Sequence, residues 1–265
     1  MKIRLRIAAA NIGFMFLLVG GIAAQAAEVK VLSSNQMKTV MEDLGPKFER
    51  ATGHQLAITF AGLGAVVKRV KGGETADVVI TLREGIDSIV KDGKAAAGNV
   101  TVVARSRGLG VAVRKGAPKP DISSPEALKR TLLAAKSITY GNPAGVVGIQ
   151  FAKVLDRLGI ANEMKPKTVF YPGGAGEAVA GEAVGILVAN GKVEIGVFHF
   201  HELIPVAGIE LVGPLPGDLQ EAIVLSAAIM TGAKDAGASK ALVDFLRTPE
   251  AATVIKAKGM EPATP

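Results

Sequence analysis

Residues 29–81 read VKVLSSNQMKTVMEDLGPKFERATGHQLAITFAGLGAVVKRVKGGETADVVIT. An apolar strand over 29–32 opens the stretch. Ser33, Ser34 and Asn35 then offer three candidate N-caps. Met37, Val40, Met41, Leu44 and Phe48 follow at helical spacing, so an amphipathic helix is predicted to about Arg50. Pro46 is expected to kink or end that helix late, and Thr52-Gly53 to stop it. A second strand covers 56–60. Helical spacing returns at Leu63, Val66, Val67 and Val70, and Gly72-Gly73 closes it. Asp77-Val78-Val79-Ile80-Thr81 is almost continuously apolar, the mark of a strand buried on both faces of a parallel sheet. Strand, helix, strand, helix, strand over this length is a pair of βαβ units, and the fold class is α/β.

Outward from this stretch the pattern continues. Extended segments are predicted over 100–113, broken at Arg105-Ser106-Arg107-Gly108, and over 222–230. Between them lies a second α/β region. It has helices near 125–135 and 147–158 and strands at 137–140 and 194–200. Helices over 240–246 and 249–258 end the chain. No repeat or low-complexity linker separates the two regions, so strands must join them.

The N-terminus has a separate logic. Lys2, Arg4 and Arg6 precede an apolar run over 12–23, and Ala24-Gln25-Ala26 supplies small residues for cleavage. Residues 1–26 therefore read as a secretory signal peptide, and the expected location is the periplasm. Removing them takes three positive charges and no acid, leaving 28 Lys+Arg against 24 Asp+Glu, a net charge of +4. That mild excess suits an anionic ligand better than nucleic acid, which needs a concentrated basic stripe.

Composition excludes several chemistries. The 265 residues are 49% hydrophobic and 21% charged, which is ordinary for a globular chain. Cysteine is absent, so disulfides, thiolate zinc and thiol nucleophiles are excluded. Tryptophan is absent and tyrosine occurs only at Tyr140 and Tyr171, which disfavours aromatic platforms for sugars or single-stranded nucleic acid. There is no nucleophile elbow, P-loop, zincin motif or dinucleotide fingerprint. The chain is read as a non-enzyme with no cofactor.

Three βα turns share one design: Ser33-Ser34-Asn35-Gln36, Ala61-Gly62-Leu63-Gly64, and the run from Gly141 to Gly148. Each brings small or polar residues to a helix N-terminus, where free N–H groups and the helix dipole favour an anion. Ligands of open α/β sheets bind at such strand ends. His199-Phe200-His201-Glu202 is a further constellation. On a strand, His199 and His201 would share a face and could chelate a metal. Alternatively, His199 faces the cleft as a hydrogen-bonding group and His201 caps the next segment. Asp77 reads as a structural cap. Arg105 and Arg107 read either as an anion contact near the junction or as solvated charge.

These residues resemble the periplasmic molybdate-binding protein family of ABC transporters, within the type 2 periplasmic binding-protein fold. The anchors are 31–41, Phe48-Glu49-Arg50-Ala51-Thr52-Gly53, 60–70, Ala76-Asp77-Val78-Val79-Ile80, 148–159, Ile195-Gly196-Val197-Phe198 and the tail 245–252. The resemblance implies two lobes of mixed sheet flanked by helices and joined by two hinge strands. Lobe 1 would comprise 27–104 and 222–265, and lobe 2 would comprise 105–221. It also implies a monomer that captures a small anion for an inner-membrane ABC permease. The family holds a tetrahedral oxyanion with serine and tyrosine hydroxyls and backbone amides. Carried over without gaps, the first serine falls on Gln36, just after Ser33, Ser34 and Asn35. The second falls on Leu63, beside Gly62. The small residue opening the lobe-2 helix falls on Gly148, a backbone contact on Gly181, and the tyrosine on His199. Molybdate or tungstate is thus the ligand by resemblance. The replaced hydroxyls suit a small organic acid equally, and a metal-chelate receptor using His199 and His201 is a further alternative.

Overall fold

The computed structural model describes residues 26–171 and 180–263. The signal-peptide reading lies outside the described residues, except for Ala26. Elements follow in the order β1 (Glu28–Ser34), α1 (Lys38–Thr52), β2 (Gln55–Ala61), α2 (Leu63–Lys71), β3 (Val78–Leu82), α3 (Arg83–Lys91), β4 (Ala95–Arg105) and β5 (Leu109–Arg114). Then come α4 (Pro125–Ala134), β6 (Ile138–Tyr140), α5 (Val146–Leu158), α6 (Ala161–Met164), α7 (Ala180–Ala189), β7 (Ile195–His199), α8 (Phe200–Leu203) and β8 (Ile209–Pro214). The chain ends with β9 (Val224–Met230), α9 (Ala236–Phe245), α10 (Pro249–Ala257) and β10 (Glu261–Pro262). Among the described residues no helix is long and apolar enough to cross a membrane.

The strands form two sheets, a six-stranded one ordered β10-β4-β9-β3-β1-β2 and a four-stranded one ordered β6-β7-β5-β8. In the first, β1 lies parallel to both β2 and β3, as the sequence predicts. Period-two alternation explains its layering. Val29, Val31, Val78 and Ile80 pack with Val40, Leu44 and Phe48 of α1 and Leu242 and Ile255 of α9 and α10. Leu32 and Val79 face the other way, onto Val66, Val70, Ile86 and Ile89 of α2 and α3. Helices on both faces leave β3 no solvent side, hence its apolar run. In the second sheet, β5 lies antiparallel to β7 and β8, and β6 runs parallel to β7. Its core joins Val111, Ile138 and Val197 to Leu128, Leu132 and Phe151.

Four local expectations are corrected. Ser33 and Ser34 belong to β1, because the ladder to β2 runs on to Ser34 opposite Ala61. The chain then makes a 3-10 turn over Asn35–Met37, and α1 starts at Lys38 without a side-chain cap. Pro46 neither ends α1 nor reaches the core: it is exposed, while Leu44 and Phe48 hold the buried face. Gly53, at φ 76°, ends the helix and donates to Glu49 O. α9 starts at Ala236, ahead of the predicted 240, because Asp235 caps it through Ala238 N–H at 2.8 Å. Finally, β7 stops at His199, and Phe200 opens α8.

The chain passes between the sheets twice, at residues 106–108 and 215–223. Ser106 ties the passages together. Its backbone N–H donates to Ile223 O at 2.9 Å. Its buried Oγ accepts from Gly108 N–H at 3.1 Å and Ile223 N–H at 3.2 Å. Gln220 Nε2 adds a bond to Leu109 O at 2.7 Å. Gly108, at φ 76°, makes the left-handed turn beside the Gln220 side chain. Ser106→Ala strips two buried N–H groups of their acceptor, and a loss of about 1–3 kcal/mol is expected. Urea denaturation should show a lower midpoint with an unchanged slope.

Candidate ligand site between the two sheets

Two helix N-termini stand open at the carboxyl ends of strands. Gly62 precedes α2 in extended conformation and gives no side-chain cap. Val66 N–H is the first in this helix to bond back, to Gly62 O at 3.0 Å, so Leu63, Gly64 and Ala65 N–H have no helical acceptor. The Leu63 side chain belongs to the core of the first sheet, and only its backbone remains for a ligand. Gly145 precedes α5 in the same way. Ile149 N–H bonds to Gly145 O at 2.9 Å, leaving Val146, Val147 and Gly148 N–H open. Val146 packs against the first sheet's core, which brings the start of α5 across the boundary. Gly148 is required by packing: a Cβ there would run into Asn142 O and lie 2.7 Å from Pro143 Cα.

The first βα turn supplies side chains instead. Ser33 and Ser34 are fully buried. Ser33 Oγ donates to Ser34 O at 3.2 Å, whereas Ser34 Oγ has no partner. Asn35 lines a cavity described below. Gln36 reaches the second unit, where its Nε2 lies 2.6 Å from His199 Nδ1. His199 is fully buried at the end of β7. Glu202 Oε1 lies 3.3 Å from the same Nδ1, and Gln150 Oε1 of α5 lies 3.3 Å from Nε2. One ring nitrogen cannot accept from Gln36 and donate to Glu202 at once. The cluster is therefore built around a shared atom, with Gln36 Oε1 left over. Gly181 lets α7 approach: a Cβ there would lie 2.6 Å from Glu202 Cβ and 2.9 Å from Phe198 Cδ1.

A cavity of about 440 Å³ adjoins this cluster. Asn35, Gln36, Lys38 and Glu42 line it from one unit, and Glu182, His201 and Glu202 from the other. The strand-face argument for a metal does not hold, because His199 ends β7 while His201 sits in α8. Their rings stack with centroids 5.8 Å apart. Among the described residues no group of three or more His, Asp or Glu side chains is arranged to hold a metal. The sequence left Gln150 unremarked, and its only signal was a position two residues after Gly148.

Other candidates are structural. Asp77 accepts from Lys30 and Lys234 N–H, both at 2.7 Å, which is the cap role expected. His54 Nδ1 accepts from Ala27 N–H at 3.2 Å. Arg105 and Arg107 are exposed.

Known proteins show the family and the fold. A family model described as bacterial extracellular solute-binding protein matches residues 29–261. An aconitate isomerase of a Pseudomonas species is 32% identical over 248 residues, covering 91% of this chain and 90% of that protein. The molybdate-binding protein of Azotobacter vinelandii is 31% identical over 243 residues, covering 89% and 91%. The solved periplasmic molybdate-binding protein of Azotobacter vinelandii superposes with a TM-score of 0.69 at 20% identity, over 89% of this chain and 99% of that one.

His201 generates a pH prediction. Both of its ring nitrogens lack partners, and burial pushes its pKa down from 6.5 to about 4. The unfolded chain therefore binds this proton more readily than the folded one. Stability is expected to fall as pH drops from about 6.5 to about 4, by about 3 kcal/mol from this group. Denaturation of the wild type and of His201→Gln at both ends of that window should show a smaller loss in the variant.

Proposed function

The chain belongs to the bacterial extracellular solute-binding protein family, and from that premise we propose that it is the periplasmic receptor of an ABC importer, capturing a small anion between its two α/β units. The units would act as lobes, 27–104 with 222–265 and 105–221, hinged at the Ser106 junction. The carrying observation is the Gln36–His199 contact that spans the two units, together with an uncapped helix N-terminus in each of them. Backbone N–H groups of residues 63–65 and 146–148 would hold the anion. Gln36, His199 and Ser34 would offer side-chain hydrogen bonds around it, with Ser33, Asn35, Gly62 and Gly181 shaping the wall. A carboxylate that replaced Gln36 on His199 Nδ1 would share that N–H with Glu202 as a second acceptor and link the units through itself, which favours the closed form. Delivery to an inner-membrane permease follows from the family, and a monomer suffices for the site.

The molybdate-binding relative makes a tetrahedral oxyanion one choice. The side chains here favour a carboxylate, because Leu63 brings no hydroxyl and Glu202 adds a negative charge. Thermal-shift titration against molybdate, tungstate, sulfate and small carboxylates tests this. A ligand at about 100 times its Kd should add roughly 2.7 kcal/mol, and carboxylates are expected to give the larger shifts. Gln36→Ala and His199→Ala should each lower the affinity by about tenfold or more. Stabilisation by molybdate and tungstate alone, indifferent to both variants, would return the ligand to the tetrahedral class.

A second reading rests on the buried His199–Glu202 contact and on the relative named aconitate isomerase. Isomerisation of an unsaturated acid by proton transfer takes a proton from one carbon and returns one to another. Nothing is gained or lost, and a base that can also act as an acid suffices. The receptor reading expects cis- and trans-aconitate to persist when incubated with the protein in deuterated buffer. Interconversion with deuterium uptake, abolished by His199→Asn, would establish the isomerase reading instead.

A further inference from the structure

We propose that the cavity of about 440 Å³ beside the anion site is a second subsite, which takes the hydrogen-bond-donating end, hydroxyl or ammonium, of a ligand whose carboxylate lies at the helix N-termini. This inference rests on the receptor reading and names the class of ligand. The cavity's size is the first argument. It falls in the range of small-organic-ligand pockets, roughly 300–1,000 Å³, and is far larger than one tetrahedral oxyanion needs.

The chemistry of the wall is the second argument. Glu42, Glu182 and Glu202 line the cavity against a single cation, Lys38. Lys38 already lies 3.9 Å from Glu42. Among the described residues Glu182 has no basic partner, and Glu202 has only His199. The wall therefore carries excess acceptors and negative charge, which repels a second carboxylate and attracts a donor.

His201 supplies an independent observation. It is only 3% exposed, and neither ring nitrogen has a partner. A buried imidazole without hydrogen bonds is costly, so a group entering the cavity would gain what the empty site forgoes. A neutral imidazole accepts at one nitrogen and donates at the other, so a hydroxyl could serve either nitrogen and an ammonium the accepting one. Ile186, Pro205, Val206 and Ala207 form an apolar flank, suited to the methylenes between the two ends.

The subsite also straddles the closure. Asn35, Gln36, Lys38, Thr39 and Glu42 come from the first unit, and the other lining residues from the second. A ligand arm lodged here would hold the units together at a second point.

Calorimetric titration with four acids of similar length tests the idea: butyrate, 4-hydroxybutyrate, 4-aminobutyrate and glutarate. They differ only in the group on C4: hydrogen, hydroxyl, ammonium or carboxylate. The two donor-terminated acids are expected to bind at least tenfold more tightly than butyrate and glutarate. Glu182→Gln should erase most of the 4-aminobutyrate advantage and leave butyrate binding unchanged. Glu182 lies on an exposed helix position, so the variant should fold. Equal affinities across the four acids, a preference for glutarate, or indifference to Glu182→Gln would overturn the subsite. Binding of molybdate with none of the four would overturn it while sparing the receptor reading. Failure of every anion to bind would overturn both.

Discussion

A buried polar group must find a partner or carry the cost of lost water, and in this molecule that constraint converges on His199. Its imidazole has no contact with solvent. Gln36 from one unit, Glu202 from its own segment and Gln150 from α5 are the partners available. The first of these lies across the boundary between the units. The two units therefore meet through this polar contact as well as through Val146, which packs against the first sheet's core. Each unit has a hydrophobic cluster of its own.

Topology explains why these side chains meet. β1, β2 and β3 run parallel, so their carboxyl ends, and the helix starts that follow, gather on one edge of the first sheet. β6 and β7 are likewise parallel in the second sheet and end near α5 and α8. Val146 of α5 packs against the first sheet's core. The open amides of α2 and α5 are thus drawn towards one boundary, where their dipoles favour an anion. The Ser106 junction ties together the two passages of chain that join the sheets.

Much of this was legible in the residues because periodicity reports burial directly. The two-faced apolar run at Asp77-Val78-Val79-Ile80-Thr81 and the helical spacing from Met37 to Phe48 left little choice of architecture. Errors arose where tertiary pairing overrode local chemistry. Ser33 and Ser34 look like caps, yet the ladder to β2 holds their backbone extended. His199 and His201 look like strand neighbours, yet Phe200 N–H bonds to Gly108 O at 3.0 Å and the chain turns into α8. α3 was not anticipated, because it follows β3 with no Gly or Pro between them. In the site, the turn holding Gln36 and a cleft-facing His199 were readable from the residues, and the resemblance matched both positions to ligand contacts. Gln150 was missed, because its position two residues after Gly148 is a weak signal for a lone glutamine on an amphipathic helix. Gly148 and Gly181 looked like backbone ligand positions, and the structure adds a packing reason for each.

On the proposed receptor reading, charge would separate the ligand classes more sharply than shape. A helix N-terminus stabilises an anion by about 0.3–1 kcal/mol at an exposed site, and up to about 2 kcal/mol when partly buried. Two like charges about 4 Å apart at an effective dielectric near 20 repel by about 4 kcal/mol. Glu202 touches the His199 imidazole, so at the proposed anion position each negative charge of a ligand would meet a repulsion of that order, about 8 kcal/mol for a doubly charged one. Two helix N-termini together would match it only for a single charge. Hydroxyl donors could tip the balance, but Leu63 stands where one would be needed and its side chain is committed to the core. A single carboxylate halves the repulsion and keeps the same amides. Extending the ligand away from Glu202's partner and into the acceptor-rich cavity then turns the carboxylates of Glu182 and Glu202 from an obstacle into a selecting surface. On the proposed reading, Gln36, His199 and the acidic wall beside them would together select a carboxylate that also carries a hydrogen-bond donor.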